Sequence, residues 1–314
     1  KEIYARFRTS LSLYASLVTT LNWQSPAIKS SFGSRIGVEK ATVIADWNDY
    51  KRDRSEDTFY YERYLAENVF NSSCYTNDTI LNICNSGMGA FTTILYYLLA
   101  TGNGGGRALI SNQNYVENKI VLKTFLGERT HFFEPTTTAE TLTAIRAHKP
   151  TAVFLEQISN TKVLRLLDIK EIIDGLIASH KEDLYLVIDV TCSVGFEPFP
   201  PSTVLPKNIK VLLHGSLLKA PQLGLERVNM GFVQAINLGE DSDKILDNRT
   251  LSGTNVQDFA VNQLPFTTNA LLRRRMARIS QNAKTLAVFL SQMDPEKSLI
   301  ESVIYPGLES HPDH

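Results

Sequence analysis

The chain has 314 residues, 43 % hydrophobic and 21 % charged, which is the make-up of a globular protein with length for about two domains. A formal net charge of −1 gives no electrostatic case for nucleic acid or for an anionic membrane surface. Three scattered cysteines, Cys74, Cys84 and Cys192, argue against a disulfide framework and fit a reducing, cytoplasmic compartment; neither they nor the six histidines have metal-ligand spacing, and no apolar run reaches the roughly 18–20 residues of a membrane-spanning helix.

In chain order, residues 1–60 read as an N-terminal helix near 2–22 followed by a polar arm, with KRDRSED (51–57) as a solvated loop. SLSLYASLVTTL (10–21), behind Lys1, Arg6 and Arg8, has the outline of a secretion signal, but its serines and threonines dilute the apolar stretch. From residue 80 a repeating pattern predicts strands at 80–84, 107–111, 130–134, 151–156, 184–189, 210–214 and 230–235. Helical spacing falls between them at 89–100, 116–126, 138–148 and 168–180. Short apolar runs alternating with amphipathic helices predict an α/β fold, a mostly parallel sheet covered on both faces. Residues 61–258 form this large domain. Residues 259–314 hold a long helix at 271–293 and the beginning of a smaller C-terminal domain, where the chain reads as truncated. The RRR cluster at 273–275 is read as the solvated face of that helix.

Ligands of such sheets bind beyond the carboxyl ends of the strands, so the residues after each strand carry the information. After 80–84 come Ser86, Gly87 and Met88, then a helix; such a turn exposes backbone N–H groups at the positive end of the helix dipole and suits a phosphate. Tyr115 follows 107–111, either a core aromatic or a platform for a ring. Asn160 follows 151–156 and taken alone is a turn residue. VIDV ends a strand on Asp189, and a carboxylate there needs a cation or several donors unless it is a turn or cap residue. KVLLH runs into GSLLK, with Ser216 and Lys219, and lysine is rarely buried without a partner. Each residue has an ordinary structural reading. Together they match one chemistry: pyridoxal phosphate requires a lysine for an imine, a carboxylate for its pyridine nitrogen, a helix start for its phosphate and an aromatic face for its ring. On that reading Lys219 is held desolvated, because only the neutral amine forms the imine.

These motifs resemble the Cys/Met-metabolism family of fold-type-I pyridoxal-phosphate enzymes, which includes cystathionine γ-synthase, the cystathionine lyases and methionine γ-lyase. SGMGA (86–90) is similar to the family's SGM-A turn, EQISN (156–160) to E-T-P-x-N, VIDVT (187–191) to V-D-N-T and HGSLLK (214–219) to H-S-x-T-K. RRMARISQNA (274–283) and YPGLESHPDH (305–314) are similar to R-M-x-x-H-x-x-N-A and Y-P-G-L-x-S-H-P. The resemblance covers roughly residues 58–314. It implies that Gly87, Met88 and Ser216 hold the phosphate, Tyr115 stacks on the ring, Asn160 meets the phenolic oxygen, Asp189 the pyridine nitrogen, and Lys219 forms the Schiff base. It also implies that Tyr61 and Arg63, from a Y-x-R triplet taken as extended, reach a neighbouring subunit's phosphate in a homodimer or homotetramer. Leu218 stands where the family has a phosphate-binding threonine, and Thr161 where it has proline. The activity implied is elimination or replacement at the β or γ carbon of a sulfur-containing or O-acylated amino acid. Another fold-type-I activity, such as an aminotransferase, and a catalytically weak homologue kept for binding are the alternatives.

Overall fold

The computed structural model describes residues 2–19, 56–72, 75, 78–102, 106–135, 137–261, 263–293 and 300–314. The polar arm lies almost wholly outside this set. The chain divides into two compact units, residues 1–56 and 57–314. In the first, α1 (Glu2–Thr19) is a helix whose exposed Glu2 and Arg6 pair one turn apart. No described helix is long and apolar enough to cross a membrane.

The second unit is built on seven strands: β1 (Thr79–Cys84), β2 (Ala108–Ser111), β3 (Thr130–Phe133), β4 (Ala152–Glu156), β5 (Leu184–Asp189), β6 (Ile209–Ser216) and β7 (Gly231–Ile236). Their order across the sheet is β1-β7-β6-β5-β4-β2-β3. β3, β2, β4, β5 and β6 run parallel, and β7 is antiparallel to both β6 and β1. The mostly parallel α/β sheet expected from the sequence is present. One consequence of the reversed strand matters for the site. The carboxyl ends of β1 and β6 and the first residue of β7 all meet at one edge, with Gly231 opposite both Cys84 and Ser216.

Helices α2 (Glu56–Asn68), α3 (Gly87–Ala100), α4 (Val116–Leu126), α5 (Thr138–His148) and α6 (Ile169–Ser179) precede or follow strands. α7 (Asp243–Ser252), α8 (Asp258–Val261) and α9 (Asn269–Ser291) close the described chain. Because side chains alternate along a strand, each strand feeds two cores. Leu155, Ile188 and Leu213 pack with Ile172 and Ile173 of α6 and Leu65 of α2 on one face. Phe154, Val187 and Leu212 pack with Phe91, Ile94 and Leu95 of α3 on the other.

β1 is an edge strand, and its free edge is covered by charge. Glu62 of α2 accepts the Ile83 N–H at 2.8 Å, Arg249 of α7 donates to the Ile83 carbonyl at 2.7 Å, and the two side chains pair with each other, both buried. Pairing the edge amide and carbonyl in this way removes a template for strand addition. Breaking such a buried pair by deleting one partner costs about 3–5 kcal/mol.

The triplet Tyr61–Glu62–Arg63 lies within α2, not in an extended segment. Residues two apart on a helix sit about 200° apart around its axis, so Tyr61 and Arg63 cannot share a target. Tyr61 is buried and donates its hydroxyl to the Pro265 carbonyl at 3.1 Å, whereas Arg63 is exposed. The expectation that this triplet is extended, with both side chains on one side, is therefore corrected.

Candidate active site

A cavity of about 300 Å³ lies beyond the strand ends on the α3 side of the sheet. Gly87, Met88, Tyr115, Asn160, Asp189, Ser216 and Lys219 all line it. Residues from six separate places in the sequence thus converge on one space, and Tyr61 and Arg63 are not among its lining.

One end of the cavity is made of backbone. Ser86 caps α3 by accepting the Gly89 N–H at 2.8 Å, so the first turn starts cleanly at Gly87. The helix itself offers no acceptor for the N–H groups of Gly87 and Met88. Gly87 lies against β6: an added Cβ would stand 3.2 Å from Ser216 Cβ and 3.3 Å from Ser216 N. Gly231 is bare for the same reason, since a Cβ there would run into the Ser86 carbonyl and stand 2.7 Å from Gly87 Cα. Ser216 is held by its own N–H, which donates to Thr191 Oγ1 at 3.0 Å, and its hydroxyl accepts the Leu218 N–H at 3.3 Å.

The other end is made of titratable side chains. Phe154, Val187 and Leu212 point to the α3 core, so Glu156, Asp189 and His214, two residues further on, point the same way. They are register partners across β4, β5 and β6 and form a buried row. Asp189 accepts the Thr191 N–H on Oδ1 at 2.9 Å. Burial, and then the charge of Asp189, push the Glu156 carboxyl up to about 8, against smaller downward pulls from the Tyr115 backbone, Lys219 and Lys119. Glu156 Oε2 and His214 Nδ1 are buried with no hydrogen-bond partner among the described residues. Burial pushes the His214 imidazole below its ordinary value, against a smaller upward pull from Asp189, so the ring is neutral at pH 7.

Tyr115 is half-buried at the start of α4. A hydrogen bond to Glu117, then burial and the neighbouring carboxylates, raise its phenol, which keeps its proton at neutral pH. The Asn160 N–H donates to the Gln113 carbonyl at 2.8 Å and joins the loop after β4 to the loop after β2. That first loop is clamped from the other side. Arg165 forms a two-pronged bond to Asp313 at 2.7 Å, and Asp313 also accepts the Leu166 N–H.

Lys219 departs from expectation. It is exposed at the cavity mouth, not desolvated. The reason is local: β6 ends at Ser216, and the chain turns through Leu217 and Leu218 before Lys219 begins a short 3-10 turn, Ala220–Gln222, past the sheet edge.

The sequence reading used Asp189 and passed over Glu156 and His214 as site residues. The signal was present. Three successive apolar strands end FLE, VID and LLH, and a titratable residue at the same phase in each predicts a row. Thr191 and Cys192, also in the lining, carry no such signal.

Residues 45–314 match the family described as Cys/Met metabolism PLP-dependent enzyme. Bifunctional enzyme flvA of Aspergillus flavus is 27 % identical over 264 residues, 82 % of this chain and 31 % of that protein. Among solved structures, metB from Corynebacterium glutamicum has a TM-score of 0.63 at 18 % identity, covering 87 % of this chain and 64 % of that one. Cystathionine gamma-lyase from yeast has a TM-score of 0.62 at 20 % identity, covering 87 % and 64 %. At such identities these likenesses show the fold, and the chain spans less than two thirds of each of these three proteins. The match also takes in a second Tyr-x-Arg triplet, Tyr50–Lys51–Arg52, outside the described residues.

Proposed function

Because the chain belongs to the Cys/Met metabolism PLP-dependent enzyme family, we propose that it catalyses elimination or replacement at the β or γ carbon of a sulfur-containing or O-acylated amino acid, with Lys219 as the catalytic lysine. The observation that carries the reading is the two-ended cavity: a helix start at one end, a buried carboxylate at the other, and a lysine at the mouth. Its volume of about 300 Å³ suits a small-molecule ligand. The bare Gly87 and the orphaned polar atoms of Glu156 and His214 fit a polar group that binds there.

Pyridoxal phosphate, when bound, supplies an electron sink for negative charge developing at the substrate Cα. On this reading Gly87 and Met88 donate their N–H groups, and Ser216 its hydroxyl, to the phosphate. Asp189 accepts from the ring nitrogen and keeps it protonated. Tyr115 lies on the ring face and Asn160 meets the phenolic oxygen. Lys219 Nζ would hold the cofactor and, as the free amine, would be the group placed to take the substrate Cα proton. Its exposed place at the mouth leaves the side chain room for both positions.

Purified protein is expected to absorb in the visible, and borohydride to fix a pyridoxyl group on the peptide holding Lys219. Label on another lysine, or full activity in Lys219→Ala, overturns the assignment. A second reading, a homologue kept for binding, is favoured by Leu218, which brings no hydroxyl to the phosphate end; a protein without the visible band would select it.

A further inference from the structure

Two carboxylates face the cavity from adjacent strands, and the proposed function uses only one. Glu156 and Asp189 are register partners in a parallel ladder, 6 % and 7 % exposed. Neighbouring strands run about 4.8 Å apart, so two negative charges here would lie close together in a poorly solvated place. The pair differs in its surroundings. Asp189 has a backbone donor on Oδ1 and lies beside the turn that leads to its neighbour Thr191. Glu156 has only the Tyr115 backbone and two lysines favouring its charged form, and its Oε2 is buried with no partner among the described residues. An acid hydroxyl in that position is a donor ready for a ligand, whereas a carboxylate oxygen there carries charge that nothing solvates.

We propose that Glu156 is a positioning residue, held as the neutral acid beside Asp189, so that the floor of the cavity carries one negative charge and one acid hydroxyl. The proposal rests on the reading of the cavity as a pyridoxal-phosphate site. One charge answers the single positive charge of a protonated pyridine nitrogen; a second would be buried unpaired.

The groups around Glu156 support the neutral form. Burial and Asp189 on β5 act against ionisation, and they outweigh Lys219 after β6 and Lys119 on α4, which favour it. The raised Tyr115 phenol keeps its proton. His214, on the far side of Asp189, is neutral. The row therefore reads acid, carboxylate, imidazole, with the charge in the middle.

Infrared difference spectra of wild type against Glu156→Gln, in protein stripped of cofactor, test the protonation directly. A carboxylic-acid carbonyl band is expected in wild type at about pH 6.5, absent from the variant and fading with a midpoint near 8. Reloading with pyridoxal phosphate tests the role. Glu156→Gln keeps the shape of the side chain and a donor in place of the acid hydroxyl, so its cofactor affinity at about pH 7 should stay within about threefold of wild type. Glu156→Ala loses both and should bind about tenfold more weakly or worse. Absence of the acid band, or a glutamine variant as weak as the alanine one, overturns the proposal. A wild-type protein that shows the acid band yet takes up no cofactor would instead count against the pyridoxal-phosphate reading.

Discussion

Replacing Gly231 with alanine puts a methyl group where the Ser86–Gly87 turn crosses the sheet edge. The new Cβ would overlap the Ser86 carbonyl oxygen and stand 2.5 Å from the Ser86 carbonyl carbon and 2.7 Å from Gly87 Cα. Unstrained carbon contacts begin near 3.5 Å, so something must retreat by about 1 Å. β7 cannot be what moves, because Gly231 is laddered to Cys84 on one side and Ser216 on the other. The displacement therefore falls on the turn, and with it on the N–H groups of Gly87 and Met88. Overpacking of this kind costs about 1–3 kcal/mol of stability. Losing one hydrogen bond to a charged group costs about 1.5–3 kcal/mol, which is roughly tenfold to a hundredfold in cofactor affinity. The assay is a titration of stripped protein with pyridoxal phosphate, followed by visible absorption. Gly239→Ala is the control: its φ of +60° strains an alanine, but a Cβ there meets nothing within 4 Å. The control should melt earlier and bind normally, while Gly231→Ala should do both worse. A folded Gly231→Ala protein that binds like wild type would show that the turn does not hold the phosphate.

Asp189→Ala should still bind some cofactor yet lose Cα proton exchange by several orders of magnitude, with partial recovery in Asp189→Glu; near-normal exchange in the alanine variant would reduce Asp189 to a turn residue. Arg63→Ala, a change to an exposed residue on α2, should leave affinity within about twofold.

Strands β2, β4, β5 and β7 were legible because each is a short apolar run buried on both faces, and that pattern survives without knowledge of neighbours. Helices α4 and α5 fall where the apolar spacing places them, at 116–126 and 138–148. α2 was misread for a traceable reason. Thr58, Tyr61, Glu62, Leu65 and Val69 are buried at helical spacing, but the Tyr-x-Arg likeness drew attention to the alternate residues 61 and 63 instead. The buried Glu62 also hid the pattern, since its burial depends on Arg249, 187 residues away. The reversal of β7 left a weaker trace. Residues 217–230 between β6 and β7 hold only a three-residue 3-10 turn, whereas a parallel crossover is usually built on a helix. Lys219 was placed correctly at a strand end, but its exposure depends on how far the turn after Ser216 overshoots the sheet, which no local signal encodes.

The two ends of the cavity respond differently to sequence change, and Leu218 shows why. At the phosphate end the donors offered by the first turn of α3 belong to the backbone, and their positions are set by the absence of Cβ atoms at Gly87 and Gly231. A threonine at 218 would add one side-chain donor to that set. Its loss subtracts one bond, and the cap at Ser86 and the close approach to Ser216 persist. At the carboxylate end the function lies in side chains, and they are coupled: the charge on Asp189 sets the state of Glu156 and pulls on His214. A change at Asp189 therefore reaches both neighbours. Departures from the family pattern at the phosphate end are therefore graded in their effect, while departures in the Glu156–Asp189–His214 row would change the charge that faces the ring nitrogen. The chain carries glutamate, aspartate and histidine in that row and departs from the resemblance at Leu218, so its departure falls at the end where one bond is lost without altering the others.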